Sequence, residues 1–324
     1  MKHRRLTRRK LFYPLIFACG VAASGCNENG SAPLVDLSER LDNHETTAAA
    51  NHNTTPETVY RFGFDLRASP QEDARQYLPF LDYLKRSTGY DFKLHFTAAD
   101  RHIIDDLGNN VVQFAAIGAS SYILAKQRYN AIPIARGLNH ENKAEYRSAL
   151  IVASDSPIKR IADLKGKRMA FGNITSTQGH LIPRIILSEH RLELSDLAGY
   201  EYTGSHSHCA DAVISGRSDV CGMQDTMAQH LAAQGLVEIL HLSDYFPSSG
   251  IAANQNIAPE VIDKLKEALL AFAPQGRHAP GLYHWDRTEM PNGFVTAKDE
   301  DYDKLRYWSV TLGIVEFTAP PLLP

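Results

Sequence analysis

Strand-like runs alternate with amphipathic helical stretches from Val59 onward, and this alternation constrains the fold more than any other feature. In the first run, aromatic and apolar side chains occupy alternate positions from Tyr60 to Leu66, the period of a strand with one buried face. The next stretch, 71–87, carries apolar residues at helical spacing and stops at Gly89, a usual helix end. The pattern predicts an α/β fold whose sheets are mostly parallel and flanked by helices.

The alternation falls into two series and a helical return. The first series continues with strands near 92–96 and 112–117 and helices near 99–108 and 119–129. The second has strands near 148–153, 168–172, 199–203, 219–224 and 237–242, with helices near 179–190, 207–215 and 226–234. Helices over 259–272 and 299–311 close the chain. Two series predict two lobes, and because ligands bind beyond the carboxyl ends of the strands in open α/β sheets, an interlobe cleft is the expected site.

Residues 1–25 have the pattern of an export signal. Basic residues are followed by an apolar run, Leu11 to Ser24, that is shorter than the ~20 residues of a membrane span. The small residues before Cys26 resemble a bacterial lipobox, which predicts lipidation of this cysteine; an ordinary secretory signal cut near Gly25 is the alternative. The stretch 7–12 also resembles a twin-arginine signal, so both export routes remain open.

The segment that follows, 26–57, is rich in Asn, Thr, Ala, Ser and charged residues and has no apolar period. It predicts a flexible tether between a lipid anchor and a folded body. Six of the 34 Lys and Arg residues precede Cys26, whereas all 37 Asp and Glu residues follow it. The body is therefore acidic, which excludes a general affinity for nucleic acid and means that an anionic ligand needs a local trap.

Two cysteines, Cys209 and Cys221, lie in the body, and an exported protein permits a disulfide between them. Cys209 is expected near a helix start and Cys221 inside the next strand. A bridge needs Cα atoms within about 7 Å. The sequence leaves both alternatives open, a disulfide or two buried thiols separated by more than that distance, and slightly favours the thiols.

Several motifs follow one another in the second series. Residues 155–167 read DSPIKRIADLKGK, and the strand RMAFG comes next. Residues 173–183 read NITSTQGHLIP, residues 204–206 read GSH, and residues 211–220 read DAVISGRSDV. In this order they resemble the phosphate, phosphite and phosphonate branch of the type II periplasmic solute-binding proteins, the receptors of ABC importers. The resemblance extends from Val59 to about Val315.

The resemblance implies a type II periplasmic-binding-protein fold with two crossovers between its lobes. Lobe 1 would comprise 58–148 and 251–318, lobe 2 would comprise 149–250, and a hinge would lie near the two crossings. It further implies a monomeric, extracytoplasmic receptor without catalytic activity or cofactor. Such a receptor binds a phosphonate, phosphite or phosphate ion between its lobes and delivers it to an inner-membrane permease.

The turn at Ser176 and Thr177 follows a strand and opens a helix, so unpaired N–H groups and the positive end of the helix dipole face the cleft. Their hydroxyls add donors for a tetrahedral anion, although simple N-capping would also explain them. Gln178 departs from relatives, many of which have a small Ser there. Its amide would shrink the pocket or contact the ligand's substituent.

Three further residues complete the expected site. By resemblance His206 donates to a ligand oxygen and adjusts its protonation near neutral pH, and Tyr122 reaches across the cleft from lobe 1. Asp225, just past a strand end, would accept a proton from an aminoalkyl group or a protonated phosphorus oxyanion, which sulfate lacks. Helix packing for Tyr122 and helix capping for Asp225 are the structural alternatives. Arg67 is expected on a solvated face.

Rival functions remain at this point. His206, His208, Cys209 and Asp225 contain zinc-ligand types, which would suit a zinc-binding protein or enzyme. Ser176 and His206 suggest a hydrolase, but no Gly-x-Ser-x-Gly elbow is present. A third possibility keeps the binding and changes its purpose, with the closed body signalling to a membrane sensor.

Overall fold

A computed structural model describes residues 58–67, 69–98 and 101–314. The predicted export signal, Cys26, the tether and residues 315–318 lie outside the described residues. Across the ranges that are described, no helix has the length and apolar character needed to cross a membrane.

Strands and helices alternate along the described chain. The strands are β1 (Val59–Phe64), β2 (Asp91–Leu94), β3 (Phe114–Ile117), β4 (Ile132–Gly137), β5 (Glu145–Tyr146), β6 (Ser148–Ala153), β7 (Arg168–Phe171), β8 (Gly199–Tyr202), β9 (Val220–Gln224), β10 (Val237–Leu242), β11 (Phe246–Pro247), β12 (Gly250–Ala253) and β13 (Phe294–Thr296). The helices are α1 (Pro70–Thr88), α2 (Ile103–Gly108), α3 (Ala119–Tyr129), α4 (Ile182–Glu189), α5 (His206–Ile214), α6 (Asp225–Ala233), α7 (Pro259–Ala271) and α8 (Asp303–Thr311). A π-helical turn, Thr177–Leu181, runs directly into α4.

Eleven of these strands form two large sheets, one in each lobe of a two-lobed α/β fold. The first has the order β13-β4-β12-β3-β1-β2 and the second the order β10-β6-β9-β7-β8. Neighbours β1, β2 and β3 are parallel, as are β7, β8 and β9. In contrast, β12 runs against β3 and β4, β13 runs against β4, and β6 runs against β9 and β10.

The sheets are thus mixed, which corrects the expectation of mostly parallel pairing. The reason lies in the connections. Strands β6 and β12 enter their sheets from the other lobe, whereas parallel neighbours need a crossover within one lobe, usually a helix. Each returning strand is instead inserted between strands that run the opposite way.

The chain passes between the sheets twice, from β5 into β6 and from β11 back into β12. The two short strands β5 and β11 pair antiparallel, with Tyr146 opposite Phe246. The crossings therefore lie side by side. That they bend as a hinge remains a prediction.

Residues at alternate positions of β1 and on one face of α1 form part of the core of the first lobe. Alternate residues of β1, Phe62 and Phe64, face α1, whose Tyr77 and Phe80 are spaced three apart on one helical face. Phe64 stacks on Tyr77 at 4.8 Å between ring centroids, and Phe80 stacks on Trp285 at the same distance, 4.8 Å. This packing fixes the end of β1, which carries part of the site.

Cys209 and Cys221 form a disulfide, so the slightly favoured alternative of two buried thiols is wrong. Helix α5 packs directly on β9, which brings the two Cα atoms to 5.8 Å, within the range that a bridge requires. Both residues are fully buried. Because Cys209 is in a disulfide, it has no thiolate to bind zinc with His206, His208 and Asp225.

Candidate functional site

A cavity of about 50 Å³ lies where the carboxyl ends of β1, β3, β7 and β8 meet. Both lobes line it. Its lining residues are Asp65, Leu66, Arg67, Gly118, Tyr146, Asn173, Thr175, Ser176, Thr177, Gln178, Gly204, Ser205, His206, Ser249 and Glu289. We call it the first cavity. Four of the six predicted ligand-binding residues are therefore brought together: Ser176, Thr177, Gln178 and His206.

Two helix N-termini of lobe 2 reach the first cavity. Ser176 begins the π-helical turn that continues into α4, and its Oγ accepts a hydrogen bond from Gly179 N at 2.9 Å. Ser205 caps α5 in the same way, accepting from His208 N at 3.2 Å. Both serines thus cap a helix start and also line the cavity, and capping was the structural alternative given for Ser176. The N-terminal N–H groups and dipoles of both helices favour an anion there.

Glycine permits the close packing of these two helix starts. A side chain at Gly179 would place Cβ 3.1 Å from Gly172 Cα and 3.1 Å from His206 Cε1. Gly172 N donates to Gly179 O at 2.9 Å, which ties the end of β7 to the turn. The turn and α5 can therefore converge on one small cavity.

Thr177 connects the two lobes. Its Oγ1 accepts a hydrogen bond from Ser120 N of α3 at 2.7 Å, and Ser120 belongs to the lobe that carries the first sheet. The hydroxyl expected to donate to a ligand therefore accepts from the opposite lobe in this structure. The two lobes are in direct contact at the cavity.

His206 is buried, with 6% of its surface exposed. Burial lowers its pKa to about 4, against a smaller opposing effect of Glu289. Histidine is thus neutral at neutral pH here, rather than poised to change protonation. Its Nδ1 has no hydrogen-bond partner among the described residues, so the ring retains capacity for a ligand.

Gln178 is almost completely buried and has a fixed orientation. Its Nε2 donates to Arg147 O at 2.8 Å, and its backbone carbonyl accepts from Ser148 Oγ at 2.6 Å. One N–H of the amide is thus bonded, whereas Oε1 has no partner in the part of the chain that the structure describes. The side chain is therefore an acceptor at the cavity wall.

Asp225 lines a smaller adjoining cavity, which we call the second cavity. Its other lining residues are Asn139, His140, Tyr146, Gln178, Gln224, Thr226, Thr288, Glu289 and Pro291. Burial raises the pKa of Asp225 to about 6, and the charge of Glu289 adds to the effect. Asp225 Oδ1 also accepts from Thr226 N at 2.9 Å, at the start of α6.

Tyr122 lines neither cavity. Its hydroxyl donates to Asp299 Oδ1 at 2.7 Å, and its ring lies 4.5 Å from that of Tyr302. Helix packing, the structural alternative, therefore describes its position. Another tyrosine, Tyr146 of β5, lines both cavities instead.

Arg67 is not on a solvated face, so that expectation is wrong. Its side chain is 12% exposed and forms an ion pair with Glu289, whose side chain is 6% exposed. The chain turns inward after β1, and Arg67 N donates to Asp73 Oδ2 at 3.2 Å. The guanidinium is held at the wall of the first cavity.

Asp65, Tyr146, Ser249 and Glu289 were not singled out from the sequence. Asp65 accepts from Gly118 N at 2.8 Å and Ser121 Oγ at 3.0 Å, while burial raises its pKa. It follows β1 directly, but the predicted strand pattern ran on to Leu66 and placed Asp65 inside the strand, so the sequence did not mark it as a strand-end residue. Glu289 comes from an irregular segment before β13, and no local pattern marks it.

Fold and site together define a two-lobed solute-binding protein. The family described as "ABC transporter, phosphonate, periplasmic substrate-binding protein" matches residues 62–302. The chain belongs to this family. It is therefore a periplasmic substrate-binding protein of the phosphonate class and a transport component, not an enzyme.

Curated relatives carry related names. The chain is 25% identical over 291 residues to the "Phosphate-import protein PhnD" of Mycolicibacterium smegmatis, covering 80% of this chain and 90% of the relative. It is 27% identical over 237 residues to the "Phosphonates-binding periplasmic protein" of Escherichia coli, covering 70% of each.

Solved structures show the same fold. PhnD1 from Prochlorococcus marinus, in complex with methylphosphonate, superposes with a TM-score of 0.71 at 17% identity, covering 80% of this chain and 100% of that one. The aliphatic sulphonate binding protein SsuA of Escherichia coli also matches, with a TM-score of 0.53 at 16% identity over 80% of this chain and 87% of that one. The fold alone therefore does not select among oxyanions.

Proposed function

We propose that this protein is the receptor of an ABC importer and binds a phosphonate, or a closely related phosphorus oxyanion, in the first cavity. One observation carries the proposal. Two helix N-termini, capped by Ser176 and Ser205, converge on a cavity that both lobes line. Each supplies N–H donors and a partial positive charge, which suits an anion.

The donors available at this cavity match a tetrahedral oxyanion. Ser176, Thr175 and Ser205 bring hydroxyls from lobe 2, and His206 brings a neutral imidazole. Arg67 adds a guanidinium from lobe 1, a group that binds such oxygens through paired N–H donors. The ligand would thus contact both lobes, and the closed state would be the one that it stabilises.

Cellular context extends the proposal. The lipobox-like Cys26 would anchor the protein at the membrane, and the stretch 26–57 would tether the monomeric body within reach of its permease. The second candidate function, signalling to a membrane sensor, uses the same closed state. The relative named for phosphate import favours delivery of cargo.

Binding assays test the proposal. The unfolding temperature of the purified protein is measured in phosphate-free buffer with phosphate, phosphite, methylphosphonate, 2-aminoethylphosphonate, sulfate, taurine and zinc. A ligand at one hundred times its dissociation constant stabilises the protein by about 2.7 kcal/mol. We expect a shift from at least one phosphorus compound. Shifts from sulfate, taurine or zinc alone would contradict the proposal.

The site assignment is tested by the variant S176A/T177A. We expect its affinity for the identified phosphorus ligand, measured by calorimetric titration, to fall at least tenfold while the protein stays folded. The matched control is Thr311→Val, whose hydroxyl only bonds Tyr307 O on the exposed face of α8. Unchanged affinity in S176A/T177A would place the ligand elsewhere.

A further inference from the structure

The side chain of Gln178 reaches the point where the chain crosses between the lobes. Arg147 is the single residue between β5 and β6, so the first crossing consists of this residue. Gln178 is 2% exposed, and its Nε2 donates to Arg147 O at 2.8 Å. Its backbone carbonyl accepts from Ser148 Oγ at 2.6 Å, at the first residue of β6. Gln178 is therefore bonded to both residues of the Arg147–Ser148 peptide.

The other contacts of this peptide also lie on the side of lobe 2. Ser148 N donates to Ser243 Oγ at 3.0 Å, and Ser243 follows β10 of the same lobe. Arg147 Nε donates to Ser243 O at 2.8 Å, and its guanidinium lies 5.0 Å from the ring centroid of Tyr245. Both polar groups of the Arg147–Ser148 peptide are thus bonded to side chains of lobe 2, the carbonyl to Gln178 and the N–H to Ser243.

This arrangement links the crossing to the turn that lines the first cavity. A hinge bends by changing the backbone dihedral angles of a few residues. A rotation about the Cα–C bond of Arg147 would turn its carbonyl away from Gln178 and leave a buried amide unpaired, which costs free energy. Gln178 directly follows Thr177 in the π-helical turn that Ser176 caps. The turn with the proposed anion donors is therefore bonded directly to the predicted hinge.

We infer that Gln178 is a positioning residue for lobe closure, because its bond to Arg147 O holds the hinge in the setting at which the lobes meet. The inference rests on the proposed function and on the predicted hinge. It differs from the role expected from the sequence, in which Gln178 contacts the ligand's substituent. A shift between open and closed forms lowers the affinity for every ligand by one common factor, since only the binding-competent fraction takes up ligand. A lost contact weakens only the ligands that make it.

The substitution Gln178→Met tests the inference, because Met is similar in length to Gln but has no N–H to donate. Dissociation constants for phosphate, phosphite, methylphosphonate and 2-aminoethylphosphonate are measured by calorimetric titration, and the radius of gyration without ligand by small-angle X-ray scattering. We expect every ligand that the wild type binds to weaken by a common factor of at least five, and the radius to increase. The matched control is Gln234→Met, an exposed glutamine whose amide bonds His230 of α6. It should change neither quantity.

Gln178→Ser provides the same test if the Met variant fails to fold, because the serine hydroxyl ends two bonds short of the amide nitrogen. Affinities that stay at the wild-type value, or that fall by different factors for different ligands, would overturn the inference. Equal radii of the ligand-free wild type and variant would also overturn it. Wild-type protein that binds no phosphorus oxyanion would overturn the proposed function itself, whereas the comparison of ligand-free radii would still test the role of Gln178 at the hinge.

Discussion

Small residues decide how closely the charged groups of this site approach one another. Ser176 Oγ accepts a hydrogen bond from Gly179 N, and the absence of a side chain at Gly179 lets His206 lie against the turn. Burial then sets the protonation of the groups that surround the cavities: it lowers the pKa of His206 to about 4 and raises that of Asp225 to about 6. The site presents neutral donors and helix N-termini on one side and carboxylates on the other.

The substitution Gly179→Ala should disrupt this packing. The new Cβ would lie 2.9 Å from Ser176 Oγ and 3.1 Å from the backbone of Gly172, so the turn must shift away from α5. We expect affinity for the identified ligand to fall at least tenfold, measured by titration. The control is Gly199→Ala, where a Cβ meets nothing within 4 Å. Equal affinity in both variants would contradict the packing argument.

Asp225→Asn should stabilise the protein above neutral pH. The folded-state pKa of Asp225 is about 6 against an ordinary value of 3.8, so the folded protein holds this proton more tightly than the unfolded chain. Stability from this group is present below about pH 4 and is lost as pH rises through about 6, a penalty of about 3 kcal/mol at most. The variant has no carboxyl group at this position, so it does not lose this stability as the pH rises.

Urea unfolding at several pH values measures this effect. The free energy of unfolding of Asp225→Asn minus that of wild type should grow from acid to neutral pH. The exposed control Asp286→Asn should show no such trend. A difference that is independent of pH would mean that Asp225 titrates normally in the folded protein.

At the scale of elements, helix α5 and strand β9 form one covalently closed unit. The disulfide joins Cys209 to Cys221, and α5 begins at His206 while β9 ends at Gln224, directly before Asp225. The bridge therefore couples a residue of the first cavity to one of the second. It also closes a short segment of chain with a sequence separation of 12 residues.

Loss of this bridge should destabilise the protein by about 3 kcal/mol, because closing a loop of this length restricts the unfolded chain by that amount. The measurement is urea unfolding of wild type with and without reductant. The variant C209A/C221A serves as the control, since its stability should not respond to reductant. A wild-type curve that is unchanged once free thiols are detected would show that the bridge adds no stability.

At the scale of the whole molecule, direct contacts join the two lobes at the π-helical turn before α4 and at α4 itself. Thr177 Oγ1 accepts from Ser120 N at 2.7 Å near the cavity. Arg184 Nη2 donates to Leu312 O at 3.1 Å, at the end of α8. Because the two chain crossings lie side by side in the β5–β11 ribbon, we predict that these contacts break and re-form by a rotation about it.

Thr177→Val should favour separation of the lobes by removing the acceptor for Ser120 N. We expect a larger radius of gyration without ligand, measured by small-angle X-ray scattering, and at least threefold weaker ligand binding. Added ligand should restore most of the wild-type radius. Thr311→Val is the control, because its hydroxyl bonds only its own helix. Identical radii and affinities for the two variants would show that Thr177 does not contribute to closure of the lobes.

The sequence by itself determined the alternation of strands and helices, the two series, and most of the lobe 2 site. These features depend on local periods and on a turn between a strand and a helix, and the helix at 119–129 was predicted with the bounds of α3. Ser176, Thr177 and Gln178 are contiguous in the chain, and His206 follows the next strand, β8, which pairs parallel with β7 and so ends at the same edge of the sheet.

Only the tertiary structure decided the lobe 1 wall and the pairing of the cysteines. Asp65, Arg67, Ser249 and Glu289 come from segments far apart in sequence, and they meet because β12 returns between β3 and β4. The period that marked Tyr122 as helical could not say which face is buried, and it packs on Tyr302 instead of the cavity. Long-range strand order and helix packing set these positions, and neither is encoded in a local period.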